Sequence, residues 1–421
     1  MEYRRRVLDD TLDELFPHIA ALALEGAKGV GKTATASQRA KTTLSLSDPG
    51  QREALTANLE RVVQVPAPVL IDEWQLQPAV WDRVRRAVDD DSTGGRFLLT
   101  GSAGVPAGVG IHSGAGRIGR LHMRPLAISE RGLTRPTVSL AALMSGERPV
   151  VAGHSPVDVP AYVDEILRSG FPGIRGLPER ARRFQLDGYI ARIIERELPE
   201  NGVRVRRPSA LRAWLAAYGA ATATDASYTT ILDAATAGDH DKPARGTVDS
   251  YREQLTRLFI LEPLPAWIPV FNPIARLTHA PRHHLVDPAI AARLVGVGRD
   301  GLLRGDRAAS ATGTWLGALF ESLATQSIRV YADALDATTA HLRTKDGARE
   351  IDLIVEGPDR RVVAIEVKLA PTVSDHDVRH LNWLETRLGE QLADRIVITT
   401  GPVAYRRADG VAVIPLALLG P

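Results

Sequence analysis

A glycine-rich segment near the amino terminus has the residue types and the spacing of a phosphate-binding loop. It fits G-x-x-x-x-G-K-[ST] at every position and comprises Gly26, Ala27, Lys28, Gly29, Val30, Gly31, Lys32 and Thr33. Glycines let backbone N–H groups approach and surround a phosphate. Lys32 can reach the β- and γ-phosphates, and the Thr33 hydroxyl can bind Mg²⁺. These eight residues predict a site for a nucleoside triphosphate, with ATP and Mg²⁺ as the expected ligands.

Polar residues end the two apolar runs that follow this loop. The first run is followed by Asp72 and Glu73, and the second, which begins at Phe97, ends with Thr100 and Ser102. Asp72 is expected to hold Mg²⁺, and Glu73 to act as general base on the attacking water. Thr100 or Ser102 could contact the γ-phosphate or that water. The alternative is that these acids and hydroxyls simply end two strands.

Two arginines follow the second run and are candidates for an arginine finger. Arg117 and Arg120 lie in a glycine-containing stretch. An arginine finger stabilises the charge that spreads over the transferring phosphoryl group. Arginines are also common on protein surfaces, so an ordinary surface position is the alternative for both.

A second group of candidate catalytic residues lies near the carboxyl terminus. Asp352, Glu366 and Lys368 form the pattern D-x13-E-x-K on two consecutive apolar runs. Residues i and i+2 of a strand share a face, and a hairpin would bring Asp352 beside the other two. Asp352 and Glu366, with Glu321 from a preceding helix, could hold Mg²⁺, and Lys368 could activate a bound water to attack a phosphodiester. The same face could instead be an inactive core or a binding surface.

The elements that must position these residues follow from the hydrophobic pattern. Strands are predicted at residues 19–25, 42–47, 69–72 and 97–101 with helices between them, including one at 34–40. This alternation indicates a parallel sheet that is covered on both faces. Residues 126–200 are predicted to be helical with a break at 170–173, and residues 301–421 to return to α/β structure with strands at 348–355, 361–368 and 395–399 and a helix at 375–388.

The middle of the chain could contact nucleic acid. Val248, Tyr251, Leu255 and Leu258 form one apolar helical face, with Thr247 as the predicted N-cap. A second helix is predicted at 209–218, after the basic residues Arg204, Arg206 and Arg207. Helix pairs followed by a β-wing are typical of helix-turn-helix modules, in which arginines bind the phosphate backbone. The alternative is a helical connector with a solvated basic face.

Composition limits the classes of protein that need consideration. The chain has 421 residues, of which 44% are hydrophobic and 24% charged, as in globular proteins of several domains. The absence of cysteine excludes disulfides and zinc–thiolate sites and fits the cytoplasm. The charged amino terminus lacks a signal core, and no apolar run is long enough for a membrane span, so no membrane partner is expected.

As a whole, the chain resembles the prokaryotic AAA-type ATPases that carry a C-terminal domain of unknown function with a restriction-endonuclease-like core. The matching positions are residues 26–33, 70–73, 100–102, 116–117, 125–126, 130, 170–172, 189, 196–197, 284–287, 321, 352, 366 and 368. Two of them depart from the family pattern, because Glu197 replaces the usual Asp and His284 replaces an aromatic residue. The resemblance favours Arg117 over Arg120 as the functional arginine. The sequence leaves the oligomeric state open, but an arginine finger that acts in trans would need a homo-oligomer.

The resulting prediction has four parts. Residues 1–130 form a P-loop AAA-type ATPase domain with a parallel sheet, 131–200 a helical segment, 201–300 a winged-helix-like module and 301–421 a nuclease-like α/β domain. The first functional hypothesis is an ATP-hydrolysing enzyme that acts on nucleic acid, DNA rather than RNA, and cuts it with the C-terminal domain. The second is a nucleotide-gated DNA-binding or signalling ATPase whose nuclease-like domain is inactive. A small-molecule kinase is less favoured, because no phosphoryl-acceptor pocket is evident.

Overall fold

Short strands and helices alternate along the amino-terminal third of the chain. The computed structural model describes residues 3–101, 114–236, 245–268, 277, 280–304 and 310–421. In chain order the first elements are α1 (Val7–Leu15), β1 (Ala21–Glu25), α2 (Lys32–Ser37), β2 (Thr42–Ser45), α3 (Pro49–Ala57), α4 (Arg61–Gln64), β3 (Val69–Asp72), α5 (Ala79–Asp90), β4 (Phe97–Gly101) and β5 (Gly119–His122). The four strands predicted from the sequence are confirmed.

These strands form one parallel sheet in the order β2-β3-β4-β1-β5. The fifth strand was not predicted, because Leu121 is the one large apolar residue in Gly119–His122 and the strand lies half exposed at the edge of the sheet. The predicted polar ends of the two strands lie side by side, since Asp72 of β3 is paired in register with Thr100 of β4. Ser102 lies outside the described residues.

Both faces of this sheet are buried, as a parallel sheet requires. On one face Ala21 and Ala23 of β1 pack in a cluster with Trp81 of α5. On the other face Leu22 and Leu24 pack in a cluster with Leu12 of α1. The alternation of side chains along β1 therefore brings α5 to one side and α1 to the other, and the loop after β1 emerges between them.

The middle of the chain is mainly helical but contains two short strands. Its elements are β6 (Val138–Ser139), α6 (Leu140–Met144), β7 (Gly153–His154), α7 (Val159–Arg168), α8 (Pro172–Arg175), α9 (Glu179–Arg192), α10 (Leu198–Glu200), α11 (Pro208–Ala220), α12 (Tyr228–Ala235), α13 (Arg245–Arg257), α14 (Pro288–Val295) and α15 (Arg299–Arg304). A π-helical turn over Ile193–Glu197 joins α9 to α10. The prediction of Thr247 as an N-cap was wrong, because the helix already includes Arg245.

The C-terminal part is a mixed sheet with helices against it. Its elements are α16 (Ser310–Asp333), β8 (Thr338–Arg343), β9 (Glu350–Glu356), β10 (Val362–Val367), α17 (Asp375–Leu388), β11 (Leu392–Thr399), β12 (Val403–Arg406), β13 (Ala412–Pro415) and β14 (Leu419–Gly420). The strand order is β7-β12-β13-β11-β10-β9-β8. The hairpin β9–β10 and the parallel pair β10–β11 bring the three predicted strands together.

The segment after residue 130 pairs with C-terminal strands at two places. Strand β7 joins the seven-stranded sheet beside β12, and β6 forms a separate two-stranded sheet with β14. The prediction of helix throughout 126–200 was therefore wrong for these two strands. Each has only two residues, which is too short for a periodic pattern, and each depends on a partner near the other end of the chain. None of the described helices combines the length and apolar character that a bilayer crossing requires.

Candidate functional site

The glycines of residues 26–33 adopt backbone conformations that other residues disfavour. Gly26 has φ 150° and Gly31 has φ 109°. A Cβ atom on Gly26 would lie 2.1 Å from the Met123 carbonyl oxygen, so a side chain cannot be placed there. Gly31 immediately precedes α2, where it turns the chain into the helix. The loop therefore has the backbone geometry that close approach to a phosphate requires.

Lys32 is directed into this loop and not into solvent. Its ammonium donates hydrogen bonds to the carbonyl oxygens of Gly26 at 2.8 Å and Ala27 at 2.9 Å. Burial lowers the pKa of Lys32 to about 8, although the carboxylates of Glu73 and Asp72 act in the opposite direction. A bound phosphate would add negative charge and favour the protonated lysine. Lys32 therefore lies inside the loop, and its binding of phosphate stays a prediction.

Two threonine hydroxyl groups from neighbouring elements donate to the Asp72 carboxylate. Its Oδ1 atom accepts hydrogen bonds from the Thr33 hydroxyl at 2.7 Å and from the Thr100 hydroxyl at 2.6 Å. The three residues come from the start of α2 and from the carboxyl ends of β3 and β4. Hydroxyl and carboxylate oxygens are the ligands that Mg²⁺ prefers, so Thr33 and Asp72 fit this ion. The structure brings together the residues to which the sequence assigned the metal and the γ-phosphate.

Glu73 follows Asp72 in a left-handed backbone conformation, with φ 56°. This conformation is uncommon for a residue other than glycine and turns the chain sharply at the end of β3. The Gln75 side-chain amide donates a hydrogen bond to Glu73 Oε2. The side-chain oxygen of Gln75, Oε1, is buried and has no hydrogen-bond partner among the described residues. Sequence reasoning missed Gln75, because nothing in the sequence indicates that the chain turns back at this point.

Arg6 is a second residue that the sequence did not reveal. It donates from Nη1 to the Val30 carbonyl oxygen at 3.0 Å and from Nε to Glu130 at 2.9 Å. Glu130 also accepts from the backbone N–H groups of Val7 and Ala127. Arg6 stands in a run of three arginines, which has the pattern of an exposed basic segment, yet its side chain is 5% exposed. Arg6, which immediately precedes α1, thus links Glu130 to the phosphate-binding loop.

Neither candidate arginine finger contacts the loop of its own chain. Arg117 donates from Nε to Asp89 at 2.8 Å. Because β5 runs parallel to β1 and Arg117 precedes β5, it lies at the amino edge of the sheet, opposite the loop that follows β1. Arg120 pairs with Glu25 at 3.3 Å and stacks on Trp81. The role of Arg117 in phosphoryl transfer therefore stays a prediction that requires a neighbouring subunit.

The turn at Gly170 and Phe171 lies against the phosphate-binding loop, since a Cβ atom on Gly29 would lie 3.8 Å from the Phe171 ring. Asp287 Oδ2 accepts from the Ser169 hydroxyl at 2.8 Å and from the Gly170 N–H at 2.6 Å, while Oδ1 caps α14 through Ala289. Three weak sequence matches, at 125–126, 170–172 and 284–287, thus lie side by side, since the Leu126 N–H also donates to the Gly170 carbonyl.

Two further residues bind the loop directly from the helical segment. The Tyr189 hydroxyl donates to the Lys28 carbonyl oxygen at 3.1 Å. The Lys28 ammonium pairs with Glu197 Oε1 at 3.0 Å. Glu197, the residue that departs from the family pattern, ends the π-helical turn after α9. The helical segment is therefore linked to the loop by both main-chain and side-chain contacts.

The C-terminal candidate residues also meet, but with an arginine among them. Arg282 Nη1 lies 2.5 Å from Glu321 and 3.0 Å from Asp352, and Nη2 pairs with Glu350. Lys368 pairs with Glu366 at 3.1 Å, and the Val367 N–H donates to Asp352 at 2.8 Å. We call Arg282, Glu321, Asp352, Glu366 and Lys368 the carboxylate cluster.

The two cations and three acids of the carboxylate cluster shift one another's pKa values. Burial, reinforced by Asp352, raises the pKa of Glu321 to about 8 and raises that of Glu366 well above its usual range. Burial would also raise the pKa of Asp352, but Arg282 and Lys368 outweigh it and the pKa is lowered. Among the described residues, no three acidic or histidine side chains are arranged to hold a metal ion. The metal role of Glu321, Asp352 and Glu366 stays a prediction.

Three protein families match successive parts of the chain. Residues 19–131 match a family described as an AAA domain. Residues 159–301 match a domain of unknown function, DUF8612, and residues 316–419 match another, DUF4143. The first match supports an ATP-binding ATPase in the part of the chain that carries the parallel sheet. The chain is thus similar to AAA-type ATPases with a C-terminal domain of unknown function.

Two mycobacterial relatives extend the similarity over most of the chain. They are the uncharacterized protein Rv2008c of Mycobacterium tuberculosis and the uncharacterized protein Mb2031c of Mycobacterium bovis. Each is 26% identical over 352 residues, which cover 82% of this chain and 68% of the relative.

Proposed function

We propose that this protein is a Mg²⁺-dependent ATP hydrolase in which the bound nucleotide controls the helical and C-terminal parts of the chain. The observation that carries the proposal is the meeting of Thr33 and Thr100 on one oxygen of Asp72, beside the loop that encloses Lys32. This arrangement combines a phosphate cradle, a hard-oxygen cation site and a polar strand end within one edge of a parallel sheet.

Each residue of the site has a defined task in hydrolysis. Lys32 binds the β- and γ-phosphates and leaves its two loop carbonyls to do so. Thr33 and Asp72 would hold Mg²⁺, and the ion would supply positive charge that offsets the charge of the phosphates. Thr100 orients the γ-phosphate or the attacking water. Glu73 takes the proton of that water once Gln75 releases its carboxylate.

Control of the rest of the chain is supported by a continuous series of contacts. Lys28 of the loop is held by Tyr189, whose ring packs against Phe171 with centroids 5.0 Å apart. The Phe171 turn is fixed by Asp287, and the same segment places Arg282 in the carboxylate cluster. A change in loop position on nucleotide binding would be transmitted through these contacts to the carboxylate cluster.

A homo-oligomer in the cytoplasm is part of the same proposal. Arg117 lies at the sheet edge opposite its own loop, so it can reach a γ-phosphate only in a neighbouring copy. Its side chain is half exposed and its partner Asp89 lies at the surface, which leaves it free to change partner. An arginine supplied in this way stabilises the charge of the transition state.

Substitution of Lys32 by alanine should abolish ATP hydrolysis, because the phosphates lose their principal cation. We expect a fall of about 10²-fold or more in kcat/KM, equivalent to about 3 kcal/mol of transition-state stabilisation. The measurement is release of inorganic phosphate at saturating Mg²⁺. The matched control is Lys41→Ala, a lysine just beyond α2 in the same domain, which should hydrolyse ATP at the wild-type rate. Hydrolysis by Lys32→Ala at that rate would refute the assignment of the loop.

A second candidate function, metal-dependent cleavage of DNA, is favoured by the placement of Asp352, Glu366 and Lys368. The residues approach one another across the hairpin β9–β10, and Lys368 contacts Glu366. Arg204 and Arg206 are exposed beside α11 and could bind phosphate groups of DNA. Arg282 argues for the nucleotide-gated alternative, because its guanidinium lies where it neutralises Glu321 and Asp352.

Cleavage of plasmid DNA decides between these alternatives. With Mg²⁺ or Mn²⁺, and with or without ATP, an active nuclease should nick plasmid, and Lys368→Ala should remove cleavage while ATP hydrolysis continues. Lys345→Ala, a lysine on the turn between β8 and β9, is the control for loss of a positive charge in the same domain. Absence of cleavage by a preparation that hydrolyses ATP would leave the nucleotide-gated protein as the function.

A further inference from the structure

A cavity of about 260 Å³ lies between helices α7, α9, α14 and α15. None of the described residues that line it belongs to the phosphate-binding loop or to the carboxylate cluster. Its volume is below the range of about 300–1,000 Å³ that is typical of pockets for drug-sized ligands, so its size suits a ligand smaller than a nucleotide. The chemistry of its wall indicates the class of that ligand.

One part of the cavity wall is apolar. Leu186 of α9 and Ala289 of α14 line the cavity and are 3% and 1% exposed. Leu167 of α7 and Val297, which follows α14, also line it and are half-buried. These side chains would remove the apolar body of a ligand from water, which is favourable, whereas an inorganic ion could make no use of them.

Positive charge predominates among the ionisable side chains of the same wall. They are two acids and four arginines, namely Asp164, Glu179, Arg182, Arg183, Arg293 and Arg299. Glu179 pairs with Arg183 at 2.6 Å, and Asp164 pairs with Arg299 at 2.7 Å. Because both acids already have a cation, a bound anion would meet no unpaired carboxylate of this wall.

Arg182 is the arginine of this wall without a carboxylate partner. Arg293 pairs with Asp187 at 2.7 Å. Arg182 instead donates to the Leu177 carbonyl oxygen at 3.3 Å, and none of the described carboxylates lies within ion-pair distance of it. Burial, reinforced by the neighbouring Arg168, lowers the pKa of Arg182, and a bound anion would act in the opposite direction. A guanidinium can hold a carboxylate or a phosphate through two parallel hydrogen bonds.

We propose that this cavity binds a small organic anion, whose apolar body packs on Leu186 and Ala289 and whose carboxylate or phosphate group pairs with Arg182. The apolar wall requires an organic body, and the partnerless guanidinium requires an anionic end. The inference does not depend on the proposed function, because neither the nucleotide nor its loop takes part in this site.

Isothermal titration calorimetry of the wild-type protein with octanoate and with octyl phosphate tests the proposal. At least one of them should bind with a Kd of about 1 mM or tighter, and the tighter of the two identifies the anionic group. Octan-1-ol, which lacks the charge, and inorganic phosphate, which lacks the apolar body, should each bind roughly tenfold more weakly or less. Failure of both octanoate and octyl phosphate to bind would overturn the inference.

Arg182→Gln should raise the Kd of the bound probe roughly tenfold or more, because glutamine cannot supply the positive charge. The matched control is Arg180→Gln, an exposed arginine of the same helix that does not line the cavity, which should bind the probe as wild type does. Excess tripolyphosphate should leave the Kd of the wild-type protein unchanged. Equal affinity of Arg182→Gln and wild type, or displacement of the probe by tripolyphosphate, would place the ligand elsewhere and refute the proposal.

Filling the cavity provides a test that keeps all four arginines. Gly298 lines the cavity, and a Cβ atom there would have no heavy atom within 4 Å. Gly298→Leu should therefore fold and weaken binding of the probe roughly tenfold, whereas the smaller Gly298→Ala should lose less. Urea unfolding of both variants checks that the fold is kept. A folded Gly298→Leu protein with wild-type affinity would contradict the assignment of the ligand to this cavity.

Discussion

Glu73→Gln should slow ATP hydrolysis by about 10²–10⁴-fold while ATP binding stays near the wild-type value. The carboxylate of Glu73 follows the proposed Mg²⁺ ligand Asp72, and its backbone conformation turns it away from the line of β3. Glutamine preserves the shape and the hydrogen bond to Gln75 but cannot accept a proton from water. The loss should therefore fall on the chemical step and leave binding of the substrate intact.

Single-turnover hydrolysis and equilibrium binding of ATP, measured on the same preparation, test this expectation. Glu53→Gln on helix α3 is the matched control, because Glu53 is an exposed glutamate of the same domain and should hydrolyse ATP normally. A Glu73→Gln protein that no longer binds ATP would assign Glu73 to the structure of the site. Normal hydrolysis by this variant would exclude Glu73 as the base.

Arg282→Ala should lower the free energy of unfolding by about 3–5 kcal/mol, the cost of leaving buried charges without their partner. The Arg282 side chain is 5% exposed and neutralises Glu321, Asp352 and Glu350 together. Its removal leaves these carboxylates in a setting where burial already raises the pKa of Glu321 to about 8. Lys368 remains, but it pairs with Glu366 on the other side of the carboxylate cluster.

The destabilisation should be larger at pH 8 than at pH 5. The folded-state pKa of Glu321 lies above its ordinary value of 4.5, so the stability that its protonated form provides is present at low pH and is lost as the pH rises through about 8. Arg282 lowers the pKa of both Glu321 and Asp352, so in Arg282→Ala both pKa values rise, and keeping these groups ionised in the folded state costs more at pH 8 than at pH 5. Urea unfolding of wild type and variant at both pH values measures the difference.

Arg299→Ala provides the control for loss of an arginine at the surface. Arg299 pairs with Asp164 at 2.7 Å, but both side chains are largely exposed. Surface ion pairs are screened by water and contribute little, so this variant should unfold nearly as wild type does. An Arg282→Ala protein that is as stable as Arg299→Ala at both pH values would show that the carboxylate cluster does not need its arginine.

Much of the amino-terminal sheet could be predicted because its signals are local. β1, β3 and β4 are apolar runs of a few residues that end in polar or glycine residues, and each keeps the predicted position. Strand β5 could not be predicted in this way, since an edge strand needs few apolar side chains. The hairpin β9–β10 and helix α17 were predictable for the same reason as the central strands.

Several short sequence matches are explained only by contacts between segments that lie far apart in the chain. Asp287 and Gly170 are unremarkable separately, but the carboxylate of one accepts the backbone N–H of the other at 2.6 Å. Arg6 and Glu130 likewise lie far apart in the chain and form one ion pair beside Val30. A single sequence carries no pattern that pairs such residues, because their spacing follows no helical or strand period.

The sequence by itself determined the phosphate-binding loop and the polar ends of β3 and β4. Eight consecutive residues define the loop, and parallel strands necessarily end at the same edge of their sheet, so local spacing was sufficient to place Lys32, Asp72 and Thr100. Only the tertiary structure decided which cation meets the carboxylates of the C-terminal domain. Arg282 reaches Glu321 and Asp352 from a segment well before both in the chain. Buried charges must be neutralised by whatever group the fold brings near them, and that group is chosen by long-range packing and not by neighbouring sequence.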